Sequence, residues 1–220
     1  MIETLFNNLL YILQAHSRWM SWNLFLAFIP LGLSVFLFRR KSLRRSLIWW
    51  LGFLIFFAFL PNAPYVLTDI IHLVAYIRRV DSIWLITLII FPLYLLFMLL
   101  GFEAYVISLI NLGSYLHRLG KTQWIFSAEL MSHALCAIGV YLGRFQRFNS
   151  WDLVTQLDVV ATSLIENLLG KRPIVIIAIT FIVITVLYWI AKQASLGIVL
   201  RQRSFKSRQQ NLNRVSQTEF

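Results

Sequence analysis

Cysteine is almost absent from this chain, which carries one, Cys136, in 220 residues. A single thiol excludes an internal disulfide and a cysteine-built metal site, and its position inside an apolar run suits a small core hydrophobe. Acidic residues are scarce as well, with 9 Asp and Glu against 20 Lys and Arg. The usual catalytic signatures are missing. No HExxH or comparable spacing points to a metal, no GxSxG marks a nucleophile elbow, and no glycine-rich loop is shaped to cradle phosphate. No metal and no cofactor is expected. There is no internal repeat of the kind many secondary transporters carry. Glu3 stands where a secretory leader would be basic, and no small-residue cleavage site follows the first apolar run, so a cleavable signal peptide is not expected.

What the chain has in excess is apolar side chain. Hydrophobic residues make up 59% and charged residues 13%, with a mean hydropathy of +0.73. That balance belongs to membrane proteins. A net charge of +11 raises nucleic acid as a partner. The basic residues, however, cluster at the ends of apolar runs and are not interleaved with stacking aromatics. Such clusters orient membrane spans, so the lipid bilayer is the expected partner and nucleic acid is not.

Five apolar runs set the expected fold: residues 20–38, 47–60, 83–116, 124–142 and 173–190. They imply an all-α, polytopic transmembrane bundle of about five spans with amphipathic interfacial helices. One integral membrane domain would occupy residues 1–191, followed by a basic, partly disordered tail over 192–220. Residues 1–18 are interrupted by Asn7, Asn8, Gln14, His16 and Arg18 and read as a leading interfacial helix. The second run is short unless the backbone around Pro61 is itself partly sunk in the membrane. Residues 83–116 exceed the thickness of a hydrocarbon core and contain no clear turn, so one tilted or kinked helix is expected. Arg39, Arg40, Lys41, Arg44 and Arg45 follow the first run, and His117, Arg118 and Lys121 follow the third. Keeping these clusters and the tail in the cytoplasm places the N-terminus outside and the C-terminus inside.

This threading brings two polar stretches to the outer side. The first is 60–79, LPNAPYVLTDIIHLVAYIRR. As a helix starting at Pro64 it aligns Tyr65, Asp69, His72 and Tyr76 on one stripe, because spacings of four, three and four follow the helical turn. Leu67, Ile70, Ile71, Val74 and Ile77 fall opposite. The second stretch, 141–153, reads YLGRFQRFNSWDL and opens an amphipathic outer helix near Asn149 and Trp151. Together they place a carboxylate beside a proton carrier, with guanidinium groups able to hold an anion through paired hydrogen bonds. Asp69 and His72 are the candidates for proton handling. Asn62, Tyr65, Tyr76, Arg144, Arg147, Asn149 and Asp152 are the candidates for holding an anionic or lipid-linked ligand. A plainer account is open too: the stripe is the wet side of an interfacial helix, the aspartates favour helix N-termini, and the arginines anchor at headgroups.

A further polar group lies within the spans. Glu103 shares a face with Asn111 and Ser114, and Glu129, His133 and Cys136 share one on the next span. Ionisable groups at membrane depth face a bundle interior or a wet path. A small proton-coupled carrier using Glu103, with His133 as relay partner, is therefore one rival function; a non-catalytic assembly partner is another. Against the relay, Glu129 lies near the inner interface and His133 needs only one hydrogen-bond partner to stay neutral. Gly32, Gly52, Gly139 and Gly143 are read as close-packing points between helices.

Three segments, WNLFLAFIPL (22–31), LPNAPYVLTDIIHL (60–73) and YLGRFQRFNSWDL (141–153), together resemble the bacterial membrane-protein family known as domain of unknown function 1361. The resemblance runs from Trp22 to the last span. It falls on Asn23, Pro61, Asn62, Pro64, Tyr65, Asp69, His72, Gly143, Arg144, Asn149, Trp151 and Asp152. What it implies is a multi-span helical protein of the bacterial envelope with no established activity; the charge clusters make the inner membrane the expected location. Glu103, Glu129, His133 and the basic tail fall outside its motifs.

Overall fold

A computed structural model of the chain describes residues 2–40, 45–146, 158 and 171–218. Arg147, Asn149 and Asp152, with the amphipathic outer helix expected near them, lie outside the described residues. Every described element is helical, and no strand occurs among the described residues. Long apolar runs behave this way because in lipid each backbone N–H and C=O must be satisfied within its own segment. Five helical segments are long and apolar enough to cross a membrane: Arg18–Phe38, Leu47–Ile77, Ile83–Arg118, Thr122–Gln146 and Arg172–Gln202.

The first helix, α1, runs unbroken over Ile2–Phe38. The expected interfacial helix and first span are thus one rod, since nothing between them breaks a helix: Gln14, Ala15, Arg18 and Met20 are all good helix formers. Ser46 then caps α2 (Leu47–Phe59) by accepting from the Trp49 N–H at 3.3 Å. The chain stays helical beyond α2 in three short pieces: α3 (Asn62–Tyr65), a 3-10 turn over Val66–Asp69, and α4 (Ile70–Ile77). A helix starting at Pro64 is therefore corrected to one that starts at Asn62 and tightens before Asp69. Pro61 and Pro64 lack the N–H groups an uninterrupted helix would use here.

Residues 83–118 form one helical run, as the absence of a turn predicts. It comprises α5 (Ile83–Leu85), a π-helical turn over Ile86–Ile90, and α6 (Phe91–Arg118). The π turn immediately precedes Pro92, whose missing donor disturbs the ladder there. Gly120, at φ 71°, turns the chain just past α6. A 3-10 turn at Thr122–Trp124 leads into α7 (Ile125–Tyr141), which ends in a π-helical turn over Leu142–Gln146. The last helix, α8, spans Lys171–Thr218. It continues past Ile190 into the basic tail, where partial disorder is the sequence expectation. Lys192 and Ser195 bond to carboxylates on α7 and α6, and this ties the start of that stretch to the bundle.

Helix α1 packs along α6 and α2, α8 packs along α7, and α3 is wedged among α1, α6 and α7. Phe38, Phe56, Tyr94, Tyr105, Ile184 and Tyr188 fill the interior, while Leu47, Trp84, Met131 and Ile182 point outward. One end of the bundle is basic. There the Arg118 guanidinium donates to the Phe38 and Arg40 carbonyls and closes the C-terminus of α1, which has no basic residue in its own last turn. Arg39 donates to Asn111 Oδ1 at 2.8 Å, and Asn111 donates in turn to Ser34 Oγ at 2.8 Å. Arg45 donates to the Tyr115 hydroxyl at 3.1 Å. Near the start of α6 and midway along α1, the Tyr94 and Trp19 rings lie 6.0 Å apart.

Candidate functional site

The site is built by the helix break after α2. Asn62 Nδ2 donates to the Phe59 carbonyl at 3.0 Å, while Ala63 N–H bonds to Leu60 O at 3.2 Å, so a side chain takes the place of the missing ladder bond. Thr68 Oγ1 returns to Tyr65 O at 2.7 Å. Two glycines let this segment sink into the bundle. A Cβ on Gly139 of α7 would stand 2.6 Å from Pro61 Cβ, and one on Gly101 of α6 would stand 2.7 Å from Val66 Cγ2. Of the glycines read as packing points, Gly139 fits that part and Gly52 touches Leu37, whereas a Cβ on Gly32 meets nothing within 4 Å.

Held this way, Asp69 is 1% exposed and faces three partners. Asn23 Nδ2 of α1 donates to its Oδ2 at 3.1 Å, Arg144 Nη1 approaches its Oδ1 at 3.4 Å, and His72 Nε2 lies 3.8 Å from the same oxygen. Arg144 also donates to Thr68 O at 2.9 Å and to the Tyr65 hydroxyl at 3.4 Å. The two stretches singled out in the sequence, 75 residues apart at this pair, are therefore in contact. They border an open cavity of about 470 Å³. Asp69, Arg144, Tyr65 and Asn23 line it together with Trp19 and Tyr94 and with His72, Ala75, Tyr76 and Arg79 of the segment around α4.

The charges divide into two groups. The Asp69 carboxylate and the Arg144 guanidinium balance each other. Arg79 is exposed at the cavity wall, and no carboxylate among the described residues forms an ion pair with it. The His72 side chain, at 52% exposure, adds a second donor that is cationic when protonated. The cavity thus carries an excess of positive charge, together with the hydroxyls of Tyr65, Tyr76 and Tyr94. Beside these donors lies one buried carboxylate, whose Oδ1 is 3.8 Å from His72 Nε2, within ion-pair distance but beyond a direct hydrogen bond.

Tyr65, Asp69, His72, Tyr76 and Arg144 therefore converge as the sequence expects, while Asn62 serves the helix break and is not among the cavity-lining residues. The sequence reading assigned no site role to Trp19, Asn23, Ala75, Arg79 or Tyr94. Arg79 was legible, because it continues the His72 and Tyr76 stripe by one more turn. Asn23 is a motif position of the resembled family, but its role depends on the depth at which α1 meets α4, and spacing does not encode that. No group of three or more metal-ligating side chains occurs among the described residues.

The intramembrane group forms a separate cluster. Glu129 Oε1 accepts from Lys192 Nζ at 2.5 Å and from the Tyr188 hydroxyl at 2.7 Å. His133 Nδ1 shares a 2.6 Å hydrogen bond with the Tyr105 hydroxyl, and its ring lies 4.7 Å from that of Tyr188. Glu103 accepts from Ser195. These bonds tie α8 to α6 and α7. Tyr105→Phe should lower stability by about 1–3 kcal/mol by leaving the buried His133 nitrogen without that partner. Thermal unfolding of the detergent-solubilised chain checks this, with exposed Ser114→Ala expected to be silent.

No curated protein and no solved structure matches this chain. The model of the family described as "Protein of unknown function (DUF1361)" matches residues 22–186, covering Asn23, Asp69, His72 and Arg144, and the chain belongs to that family.

Proposed function

We propose that this protein is a multi-pass protein of the bacterial inner membrane whose cavity at the outer face binds an anionic ligand. The N-terminus is outside and the C-terminus cytoplasmic, because the basic end of the bundle stays inside. One observation carries the reading: the Asp69–Arg144 ion pair, 3.4 Å long, borders an open cavity of about 470 Å³ and is not sealed in a packed interior. A pair that served only to hold two loops together would need no such space beside it.

In this reading Arg144 fixes the carboxylate, and Arg79 and His72 meet the ligand. If the site performs chemistry, Asp69 or His72 handles the proton. Arg79→Gln and His72→Gln alter exposed side chains, so both variants should accumulate normally. They should nevertheless fail to complement the phenotype of a deletion strain. Losing one charge-assisted contact of about 1.5–3 kcal/mol weakens binding roughly tenfold to a hundredfold. Full complementation by the double variant at normal abundance would rule the proposal out.

A further inference from the structure

We infer that the ligand of this cavity is a membrane lipid with a phosphate monoester headgroup. The inference rests on the anion-binding reading above and narrows it to one source of the anion. The first argument is depth. Every cavity-lining residue except Arg79 belongs to a segment long and apolar enough to cross a membrane. The cavity therefore lies at the level of headgroups and upper acyl chains, where a soluble anion would have to descend and a lipid is already present.

The second argument is the surface beside the cavity. Asn23 lines it, and its neighbours Trp22 and Phe25 on α1 are 52% and 57% exposed. His72 lines it from α4, where Ile71 and Val74 are 57% and 44% exposed. The polar lining is thus flanked on α1 and on α4 by apolar side chains that face outward, and an acyl chain leaving the cavity would lie along them. The third argument is donor arrangement. His72, Tyr76 and Arg79 follow one another at four and three residues along the segment around α4, presenting an imidazole, a hydroxyl and a guanidinium. A phosphate monoester offers terminal oxygens enough to meet all three. The zwitterionic headgroup of phosphatidylcholine would carry its cation to the same positive side chains.

Trp19, at the cavity wall and 5.3 Å from the His72 ring, supplies the reporter. The full chain is reconstituted in nanodiscs containing a small fraction of brominated phosphatidic acid or, separately, of brominated phosphatidylcholine. The Trp19 signal is the quenching lost in Trp19→Phe. Brominated phosphatidic acid should quench this signal selectively, and unlabelled phosphatidic acid should reverse the effect. Arg79→Gln should raise the phosphatidic acid fraction required by about tenfold, as expected for losing one charge-assisted bond. Circular dichroism checks that this variant stays helical. Inorganic phosphate is titrated in parallel. If it reverses the quenching or shifts Trp19 emission by itself at millimolar concentration, the cavity takes a soluble anion; the lipid inference then fails while the anion-binding reading survives. If phosphatidic acid shows no preference over phosphatidylcholine and phosphate has no effect, both fail.

Discussion

Asp69→Ala should destabilise the protein more than Asp69→Ala combined with Arg144→Met. The single change leaves the Arg144 guanidinium, only 16% exposed as a side chain, without its carboxylate, and it also removes the acceptor used by Asn23. Breaking a buried ion pair from one side costs about 3–5 kcal/mol, whereas removing both charges in favour of apolar side chains is often close to neutral. The double variant should therefore recover more than half of the loss, with an interaction energy within the roughly 0.5–3 kcal/mol seen for contacting residues. Thermal unfolding of the four members of the cycle in one detergent checks this. Strict additivity would mean that the two groups do not meet. The recovered double variant should still fail in ligand binding, since the cavity has lost these two polar groups.

Gly139→Ala should cost stability and binding together, while the same change at Gly32 should not. The new methyl on α7 would stand 2.6 and 2.7 Å from Pro61 Cβ and Cγ. A proline ring cannot swing aside as a lysine would, so the backbone of the helix break has to move. Gly101→Ala meets Val66 at 2.7 and 3.0 Å, and the β-branched side chain is stiff about χ1. Each change should cost about 1–3 kcal/mol as overpacking. The two glycines grip the same short segment from opposite helices, so their effects should not simply add. Gly32→Ala inserts its methyl into open space within α1, where alanine is the better helix former by about 0.8–1.0 kcal/mol. It should leave stability unchanged or raise it. If Gly139→Ala behaves like Gly32→Ala in thermal unfolding, the close approach of the helix break to α7 is wrong.

The five spans were legible because apolar runs bounded by basic clusters obey one rule along their whole length. The stripe of Tyr65, Asp69, His72 and Tyr76 was legible because the chain stays helical through the 3-10 turn at Val66–Asp69, and the four side chains line one cavity. Other features depended on information that no single segment holds. Asp69 is buried, not wet, because Gly101 and Gly139 let its segment sink between α6 and α7, and that closeness belongs to three helices at once. Arg144, read from sequence as a ligand-holding cation, is engaged by Asp69 and the Thr68 carbonyl, and Arg79 adds a second guanidinium at the cavity that has no ion pair among the described residues. The partner of Glu103 was hidden for another reason: Ser195 lies in a stretch whose polarity reads as a tail, although its helix continues from the span.

The measurement that bears most directly on this account is two-sided labelling of single cysteines in a Cys136→Ala background, in intact cells and in inverted vesicles. Arg79→Cys and Phe145→Cys mark the cavity end, both at exposed positions, and Lys121→Cys marks the basic end, also exposed. A membrane-impermeant maleimide should reach the first two from outside the cell and the third only from the cytoplasmic side. Labelling of Arg79→Cys and Phe145→Cys from opposite sides of the membrane would separate the two polar stretches and leave no cavity between them.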